Sequence, residues 1–274
     1  MKMLVTGAKG MLGQDLCPAL EDSGHEVIET DVDNMDITSS VAVLEFTKKQ
    51  KPDFLIHLAA YTNVDKAEED RETAYKINVE GTQNLVNACK KLDIPMLYIS
   101  TDYVFDGTKK GKYTPEDKRN PINYYGETKA KGEEAVQTLE KYYITRTSWL
   151  YGHHGKNFVE TMLSLASKPE LKVVDDQIGC PTWTVELVNG IVKIIEEQMP
   201  YGIYQVCGSG HTSWYGVAKE IFELHGDKVN LFPCKTEEFP RPANRPRNSI
   251  MENQGLCRSW KAALKDYLSL RSEE

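Results

Sequence analysis

The sequence lacks long apolar runs, an excess of positive charge and paired cysteines, and each absence excludes a class of protein. No stretch approaches the roughly 18 uninterrupted apolar residues of a membrane-spanning helix. The 33 lysines and arginines are outnumbered by 41 aspartates and glutamates, which gives a formal net charge of −8. A chain with this charge is a poor ligand for nucleic acid or an anionic membrane, so we predict neither as a partner.

The six cysteines form no Cys-x-x-Cys motif and no cysteine–histidine set at zinc spacing. They are most simply scattered thiols in a reducing compartment. The chain starts with a short apolar strand and a glycine loop, without the apolar segment and cleavage site of a signal peptide. We therefore predict a cytoplasmic protein, and its 274 residues are enough for one large domain or two modest ones.

Short apolar strands alternate with helical segments over the first half of the chain. The pattern predicts strands at 2–6, 25–30, 54–58, 96–100 and 143–147, and helices at 11–21, 41–50, 65–92 and 124–140. Alternation of this kind predicts an α/β fold with a doubly wound parallel Rossmann sheet, covered by helices on both faces.

The alternation loosens in the second half. We expect helices at 157–167, 184–198, 214–224 and 259–270, strands at 171–174, 202–207 and 228–232, and a proline-rich segment at 239–249 without regular structure. The organisation predicted is a dinucleotide-binding Rossmann domain over 1–150. A smaller substrate-binding lobe over 151–274 would be interleaved with the end of the sheet.

A Gly-x-x-Gly-x-x-Gly loop joins the first strand to the first helix. Gly7 and Gly10 allow a tight turn and close approach to a pyrophosphate, and Gly13 lets helix and strand pack closely. Met11 and Leu12 open the helix, whose N-terminus would face the phosphate charge. The alternative is a glycine-rich turn without a ligand. The position between a strand and a helix favours a nicotinamide dinucleotide.

Two charges bear on which nicotinamide cofactor binds. Asp31 ends the second predicted strand, where a carboxylate accepts hydrogen bonds from the adenosine ribose and repels a 2′-phosphate. Lys9 lies in the glycine loop and could pair with a 2′-phosphate, although either charge could also be a solvated surface group. We predict that NADH is favoured, with NADPH as a second cofactor. Asp36 and Ile37 lie where the adenine edge would be contacted.

Small residues follow the third predicted strand. Leu58, Ala59, Ala60 and Tyr61 stand at its carboxyl end, where small side chains let a ligand approach the crevice of the sheet. Tight packing of a helix on the sheet explains the same residues equally well, and both interpretations stay open.

Tyr125 and Lys129 stand four residues apart in a predicted helix, which places a phenol and an ammonium on one face. A nearby cation favours the phenolate, so we expect Lys129 to lower the pKa of Tyr125 from its usual value of about 10. Such a tyrosine can give a proton to a carbonyl oxygen. An ordinary solvated helix would show the same spacing, and the glycine loop is what favours a catalytic pair.

These motifs, in this order, resemble the extended short-chain dehydrogenase/reductase superfamily. Five longer strings narrow the resemblance to the dTDP-4-dehydrorhamnose reductases over nearly the whole chain: residues 59–68 (AAYTNVDKAE), 100–107 (STDYVFDG), 146–151 (RTSWLY), 176–182 (DQIGCPT) and 245–249 (RPRNS). The resemblance implies NAD(P)H-dependent reduction of the C4 ketone of dTDP-4-dehydro-L-rhamnose to dTDP-L-rhamnose, which supplies cell-surface polysaccharide synthesis.

Carried over to this chain, the resemblance assigns three catalytic residues. Thr101 would hydrogen-bond the substrate carbonyl, Tyr125 would donate the proton, and Lys129 would hold the nicotinamide ribose. Thr101 also closes the fourth predicted strand, at the edge of the sheet where this fold binds ligands, although a turn-forming threonine is the alternative.

Four further residues are candidates for the substrate pocket. Asp102, Tyr103 and Trp149 could form a wall for the sugar or the thymine ring, and the two aromatic residues could equally be core. Arg245, with the neighbouring Asn244 and Arg247, matches the hydrogen-bonding geometry of a diphosphate, unless this is a solvated basic loop.

Two other functions remain as alternatives. A relative of this family is a non-catalytic regulatory subunit of methionine adenosyltransferase, and other enzymes on the scaffold are sugar epimerases or dehydratases. The dehydratases usually carry Asp-Glu after the catalytic threonine, whereas Tyr103 follows Asp102 here. Some family members bind Mg²⁺ at a dimer contact. Asp15 is the matching acid, but the sequence offers no complete ligand set, so we assign no metal residue and leave Mg²⁺ and a homodimer open.

Overall fold

The computed structural model describes residues 1–271, and residues 272–274 of the predicted second lobe lie outside the described residues. Its first half contains the following strands and helices: β1 Lys2–Thr6, α1 Met11–Asp22, β2 Glu26–Thr30, α2 Ser40–Gln50, β3 Phe54–His57, α3 Val64–Glu69, α4 Arg71–Tyr75, α5 Thr82–Leu92, β4 Met96–Thr101, α6 Tyr124–Val136 and β5 Tyr142–Thr147. A π-helical segment, Lys76–Gly81, joins α4 to α5, and a 3₁₀ turn, Asp102–Val104, follows β4.

The second half contains short strands between helices. Its elements are β6 Leu150–Tyr151, α7 Phe158–Ser164, β7 Glu170–Val174, β8 Ile178–Gly179, β9 Thr182–Trp183, α8 Thr184–Glu196, β10 Gly202–Gln205, β11 Thr212–Ser213, α9 Trp214–His225, β12 Asn230–Cys234 and α10 Trp260–Arg271. A 3₁₀ turn spans Thr236–Glu238. The two-residue strands were not predicted from the sequence, because a pair of residues carries no detectable periodicity.

Six strands form one parallel sheet in the order β10-β5-β4-β3-β1-β2. The predicted doubly wound α/β fold is therefore confirmed. From β1 the chain builds outward to β2 on one side and through β3, β4 and β5 on the other. The strand order thus reverses between β1 and β3, and ligands bind in such folds in the crevice at the carboxyl ends of those strands.

Helices cover both faces of this sheet with separate apolar cores. On one face, Leu12 and Leu16 of α1 pack with Leu187 and Ile191 of α8. On the other face, α2, α5 and α6 contribute Val43, Leu85, Val86, Ala135 and Val136 to a second core. The strands between them are buried on both sides, which is why β1 and β3 read as continuous apolar runs.

A smaller lobe has its own core of aromatic and aliphatic residues from β9, α7, α9 and α10, which includes Trp183, Phe222, Trp260 and Tyr267. Its strands pair two by two, β7 with β12, β6 with β9 and β8 with β11. The chain does not stay in this lobe after residue 150. Helix α8 and strand β10 return to the large sheet, where β10 pairs in parallel with β5.

The single helix predicted over 65–92 is wrong, because the chain forms three shorter helices and a π-helical segment there. Asp70 leaves the helical conformation (φ −111°, ψ 60°) and caps α4 by accepting a hydrogen bond from Thr73 N at 3.4 Å. An aspartate that caps a helix competes with continuation of the preceding one. Helix α6 also ends at Val136 instead of residue 140, and further boundaries differ by a few residues.

Candidate active site

A cavity of about 750 Å³ opens at the carboxyl edge of the sheet, over the point where the strand order reverses. Residues at the carboxyl ends of five neighbouring strands line it, together with the first turns of α6 and the two tryptophans Trp149 and Trp214. Of the predicted site residues, it brings together Gly7, Gly10, Met11, Leu12, Asp31, Asp36, Ile37, Leu58, Ala59, Ala60, Thr101, Asp102, Tyr103, Tyr125, Lys129 and Trp149. Lys9, Tyr61 and Arg245 lie outside this lining.

The glycine loop is shaped by contacts that no larger residue could make. Gly7 has a left-handed backbone (φ +71°), and a Cβ there would lie 2.7 Å from Ala59 N. At Gly13 a Cβ would lie 2.4 Å from the carbonyl oxygen of Ala8. Gly10 caps α1 without any side chain over the first N–H groups of the helix. The loop therefore presents open backbone and a helix N-terminus, the features that hold a pyrophosphate.

Asp31 lies beside this loop, and Lys9 does not reach into the cavity. Asp31 Oδ2 accepts a hydrogen bond from the backbone N–H of Lys9 at 3.1 Å, and its Oδ1 accepts one from Val32 N at 2.8 Å. The ammonium of Lys9 instead contacts Asp33 Oδ2 at 2.6 Å. This pair raises the pKa of Lys9 and lowers that of Asp33. A role for Lys9 in cofactor binding stays a prediction.

Asp36 and Tyr61, two further residues predicted to contact the cofactor, differ in their position, because only Asp36 lines the cavity. Asp36 accepts hydrogen bonds from the N–H and hydroxyl of Thr38, which lower the pKa of its carboxyl. Tyr61 lies outside the cavity lining, and its backbone N–H donates to Asn78 Oδ1 at 2.7 Å. We retain Tyr61 only as a prediction.

Thr101 and Tyr125 both line the cavity. Thr101 closes β4, donates from Oγ1 to Asp102 Oδ1 at 3.0 Å and acts to lower the pKa of the Tyr125 phenol. Tyr125 is in the first turn of α6, whose N-cap Asn123 accepts from Gly126 N at 2.8 Å. A Cβ at Gly126 would lie 2.1 Å from the carbonyl oxygen of Tyr103. The glycine therefore lets the helix start against the 3₁₀ turn that follows β4.

The expected lowering of the Tyr125 pKa by Lys129 is wrong for this structure. Burial raises the pKa of the Tyr125 phenol, and the nearby carboxylate of Asp102 raises it further. Lys129 is itself buried, which lowers its pKa to about 7 despite the opposing charge of Glu133. Its ammonium lies 4.1 Å from the centroid of the Tyr98 ring. Desolvation outweighs the attraction that the spacing suggested.

Asp102, Tyr103 and Trp149 all line the cavity. Asp102 is 2% exposed, one of its carboxyl oxygens has no hydrogen-bond partner within the described chain, and burial raises its pKa to about 7. Tyr103 meets Tyr125 edge-on, with ring centroids 6.1 Å apart. Trp149 has a left-handed backbone (φ +49°) and stacks on Trp214 at 3.6 Å.

Arg245 binds a carboxylate of the chain itself. Its two terminal nitrogens each donate to one oxygen of Asp65 at 2.9 Å, in the two-pronged geometry that arginine makes with carboxylates. The charge of the guanidinium also acts to lower the pKa of the Tyr103 phenol, although burial raises it overall. Its predicted role as a diphosphate ligand stays a prediction.

Three residues that shape the cavity were missed from the sequence. Trp214 opens α9 and stacks on Trp149. Asn78 lies in the π-helical segment and donates to Tyr61 O at 3.1 Å and to Thr128 Oγ1 at 3.0 Å. It thus ties the loop after β3 to the helix that carries Lys129. The sequence gives little indication of this role for Asn78, because no residue pattern predicts that the helix contains a π-helical turn there.

Glu133, the third missed residue, lies one turn after Lys129 and is fully buried. It accepts hydrogen bonds from Ser100 Oγ at 2.5 Å, from Arg146 Nη2 at 2.8 Å and from Arg119 Nη1 at 2.9 Å. Its carboxylate therefore joins α6 to β4 and β5 directly beside Thr101. The four-residue spacing from Lys129 could have indicated a shared helix face.

No group of three histidine, cysteine, aspartate or glutamate side chains that could hold a metal occurs within residues 1–271. Asp15 contacts His154 Nε2 at 3.3 Å. No helix of the described part is long and apolar enough to cross a membrane.

The parallel sheet, the glycine loop at its switch point and the Thr101, Tyr125 and Lys129 side chains together define an oxidoreductase of the extended short-chain dehydrogenase/reductase class. A family model described as RmlD substrate binding domain matches residues 1–271. A dTDP-4-dehydrorhamnose reductase of Aggregatibacter actinomycetemcomitans is 40% identical over 97% of this chain and 97% of its own length.

Solved structures agree with this match. A dTDP-4-dehydrorhamnose reductase of Clostridium acetobutylicum is 46% identical, with a TM-score of 0.96 over 99% of this chain and 100% of that one. The reductase of Bacillus anthracis in complex with NADP is 40% identical, with a TM-score of 0.94 over 98% of this chain and 99% of that one. The chain belongs to the dTDP-4-dehydrorhamnose reductase family, which confirms the resemblance found in the sequence.

Proposed function

We propose that the protein reduces the C4 ketone of dTDP-4-dehydro-L-rhamnose to the alcohol of dTDP-L-rhamnose, with a reduced nicotinamide dinucleotide as the second substrate. The observation that carries this proposal is that Thr101, Tyr125 and Lys129 line the same cavity as the glycine loop. Two hydroxyl donors in one cavity suit a carbonyl oxygen that becomes an alkoxide during reduction.

The residues of the cleft fit a nicotinamide dinucleotide. The cradle at Gly7, which a Cβ would fill, and the uncapped N-terminus of α1 would take the pyrophosphate. Asp31 would accept hydrogen bonds from the adenosine ribose, so we propose NADH as the favoured cofactor and NADPH as a second one. When bound, the nicotinamide supplies the hydride for the sugar C4.

The chain supplies the proton and orients the ketone. Burial keeps the Tyr125 phenol protonated, so it is a proton donor at neutral pH. As the hydride reaches C4, the Tyr125 proton passes to O4, so the ketone gains one hydride and one proton. Thr101 donates a hydrogen bond to the same oxygen and Lys129 binds the nicotinamide ribose. Tyr103 and Trp149 provide apolar surface for the sugar or the base.

The decisive experiment follows the loss of absorbance of NADH at 340 nm with dTDP-4-dehydro-L-rhamnose. The unepimerised sugar dTDP-4-keto-6-deoxy-D-glucose serves as the comparator for the exact nucleotide sugar. Oxidation of NADH with the first sugar, and its absence with Tyr125→Phe, supports the proposal. If neither NADH nor NADPH is consumed with either sugar, the proposal fails.

Two accompanying hypotheses concern assembly and metal. The family resemblance leaves a homodimer and a requirement for Mg²⁺ open, and residues 1–271 contain no group of side chains that could hold the ion by themselves. Light scattering gives the mass in solution, and turnover in EDTA against added Mg²⁺ measures the metal requirement.

A further inference from the structure

Charged side chains gather where the first two strands of the sheet end. The loop after β1 and the loop after β2 meet there, joined by the hydrogen bond from Lys9 N to Asp31 Oδ2. Gln14 Nε2 donates to the carbonyl oxygen of Lys9 at 3.0 Å, so the backbone of Lys9 is held on both sides. In Rossmann folds this is where the ribose 2′ position of a dinucleotide lies.

A cation in this loop would ordinarily be the ligand for a 2′-phosphate. Here the ammonium of Lys9 contacts Asp33 Oδ2 at 2.6 Å, and the charges of Asp31 and Glu29 also act on it. The ammonium is therefore paired with one carboxylate, and two more carboxylates lie near enough to raise its pKa further. A 2′-phosphate, itself close to doubly negative, would enter a region of net negative charge and would have to displace Asp33 from Lys9.

We propose that Asp33 is a specificity-determining residue that withholds Lys9 from the 2′-phosphate and so makes the site discriminate against NADPH. The inference rests on the nicotinamide site of the proposed function. Asp31 acts on the ribose hydroxyls directly, whereas Asp33 acts through the lysine. Removing the Asp33 charge should thus free Lys9 for the phosphate and leave the binding of NADH almost unchanged, because NADH has no group at that position.

The alternative is an ordinary solvated ion pair without a role. The two side chains are 67% and 58% exposed, and exposed pairs are commonly weak. A second exposed aspartate–lysine pair of the protein provides a matched control for the Asp33 substitution. Asp93 forms an exposed contact with Lys141 Nζ at 2.8 Å, outside the cavity lining, and Asp93→Asn removes the same charge.

The test measures dissociation constants for NADH and NADPH by fluorescence titration at low ionic strength. The proteins are the wild type, Asp33→Asn, Lys9→Gln, the double variant and Asp93→Asn. We expect Asp33→Asn to tighten NADPH binding about fivefold, with NADH within about twofold. The gain should vanish in the double variant and shrink with added salt, because both depend on an exposed charge.

Four results would overturn the inference. Three are unchanged NADPH binding in Asp33→Asn, an equal gain for both cofactors, and the same gain in Asp93→Asn. The fourth is a gain that persists in the double variant, because Lys9 would then not be the ligand. If the wild type binds neither cofactor, the proposed function fails instead. The two failures are therefore distinguishable, and neither depends on turnover.

Discussion

The ammonium of Lys129 lies 4.1 Å from the centroid of the Tyr98 ring, on the side of helix α6 that faces the sheet. The aromatic face offers partial compensation for lost water, but Lys129 is only 3% exposed. Burial therefore dominates and lowers its pKa to about 7. Lys129 therefore loses its proton at a lower pH than an exposed lysine does.

The lowered pKa of Lys129 leads to a prediction about how the free energy of unfolding depends on pH. Because Lys129 titrates near 7 in the folded chain and near 10.4 when unfolded, the unfolded chain binds more protons between these values. The contribution of Lys129 to the free energy of unfolding should therefore become more favourable as the pH rises from 7 to 9. The slope is at most about 1.4 kcal/mol per pH unit. Urea unfolding of the wild type and Lys129→Met at both pH values measures it.

Lys131, on the same helix with a 41% exposed side chain, provides the control. Lys131→Met should differ from the wild type by nearly the same amount at pH 7 and pH 9. A difference between wild type and Lys129→Met that does not change with pH would mean that Lys129 is not desolvated.

Tyr125→Phe removes the proton donor and little else. Since the phenol acts only when the ketone is reduced, kcat should fall by about 10²–10⁴-fold while the Kd of the cofactor stays within about twofold. Stopped-flow turnover and a binding titration give the two quantities. Tyr124→Phe is the matched control, because Tyr124 lies under the Arg71 guanidinium instead of beside Thr101. Normal turnover in Tyr125→Phe would exclude Tyr125 as the donor.

Glu133→Gln should destabilise the fold strongly. It would leave the Arg146 guanidinium, which is 1% exposed, without its carboxylate, and breaking such a buried pair costs about 3–5 kcal/mol. Thermal and urea unfolding measure the loss. Glu134→Gln changes a 65% exposed neighbour and should cost far less. Comparable stability of the two variants would show that the buried network is not needed.

Arg245 and Asp65 should act as one unit. If the arginine serves to hold the loop that carries it, Arg245→Gln and Asp65→Asn should each raise KM for the sugar, and the double variant should be little worse than either. A double-mutant cycle on kcat/KM would then give a coupling of about 1 kcal/mol or more. Additive effects would favour a direct contact of Arg245 with the diphosphate.

The sequence predicted the parallel sheet and its helices because buried strands and amphipathic helices have different periods. The tight turn at Gly7 could be predicted from the local sequence, because a left-handed backbone directly after a strand strongly favours glycine. The sequence did not predict the features of the site that depend on contacts between residues far apart in the chain. The hydrogen bonds of Asn78 reach Tyr61 and Thr128, and nothing near Asn78 in the sequence indicates them.

The wrong prediction that Lys129 lowers the pKa of Tyr125 has a similar origin. Four-residue spacing places Tyr125 and Lys129 on one helix face, but the depth of that face below the surface comes from the sheet and the smaller lobe. Spacing predicts which groups are neighbours, whereas desolvation depends on everything else that surrounds them.

Helix α8 and strand β10 come from the second half of the chain, yet they complete the core and the edge of the large sheet. A fragment cut after residue 150 would lose the partners of Leu12 and Leu16 and expose the backbone edge of β5. We expect such a fragment to aggregate through that edge instead of folding into a separate cofactor-binding unit. The cleft between the lobes thus belongs to a chain whose halves should unfold in one cooperative step.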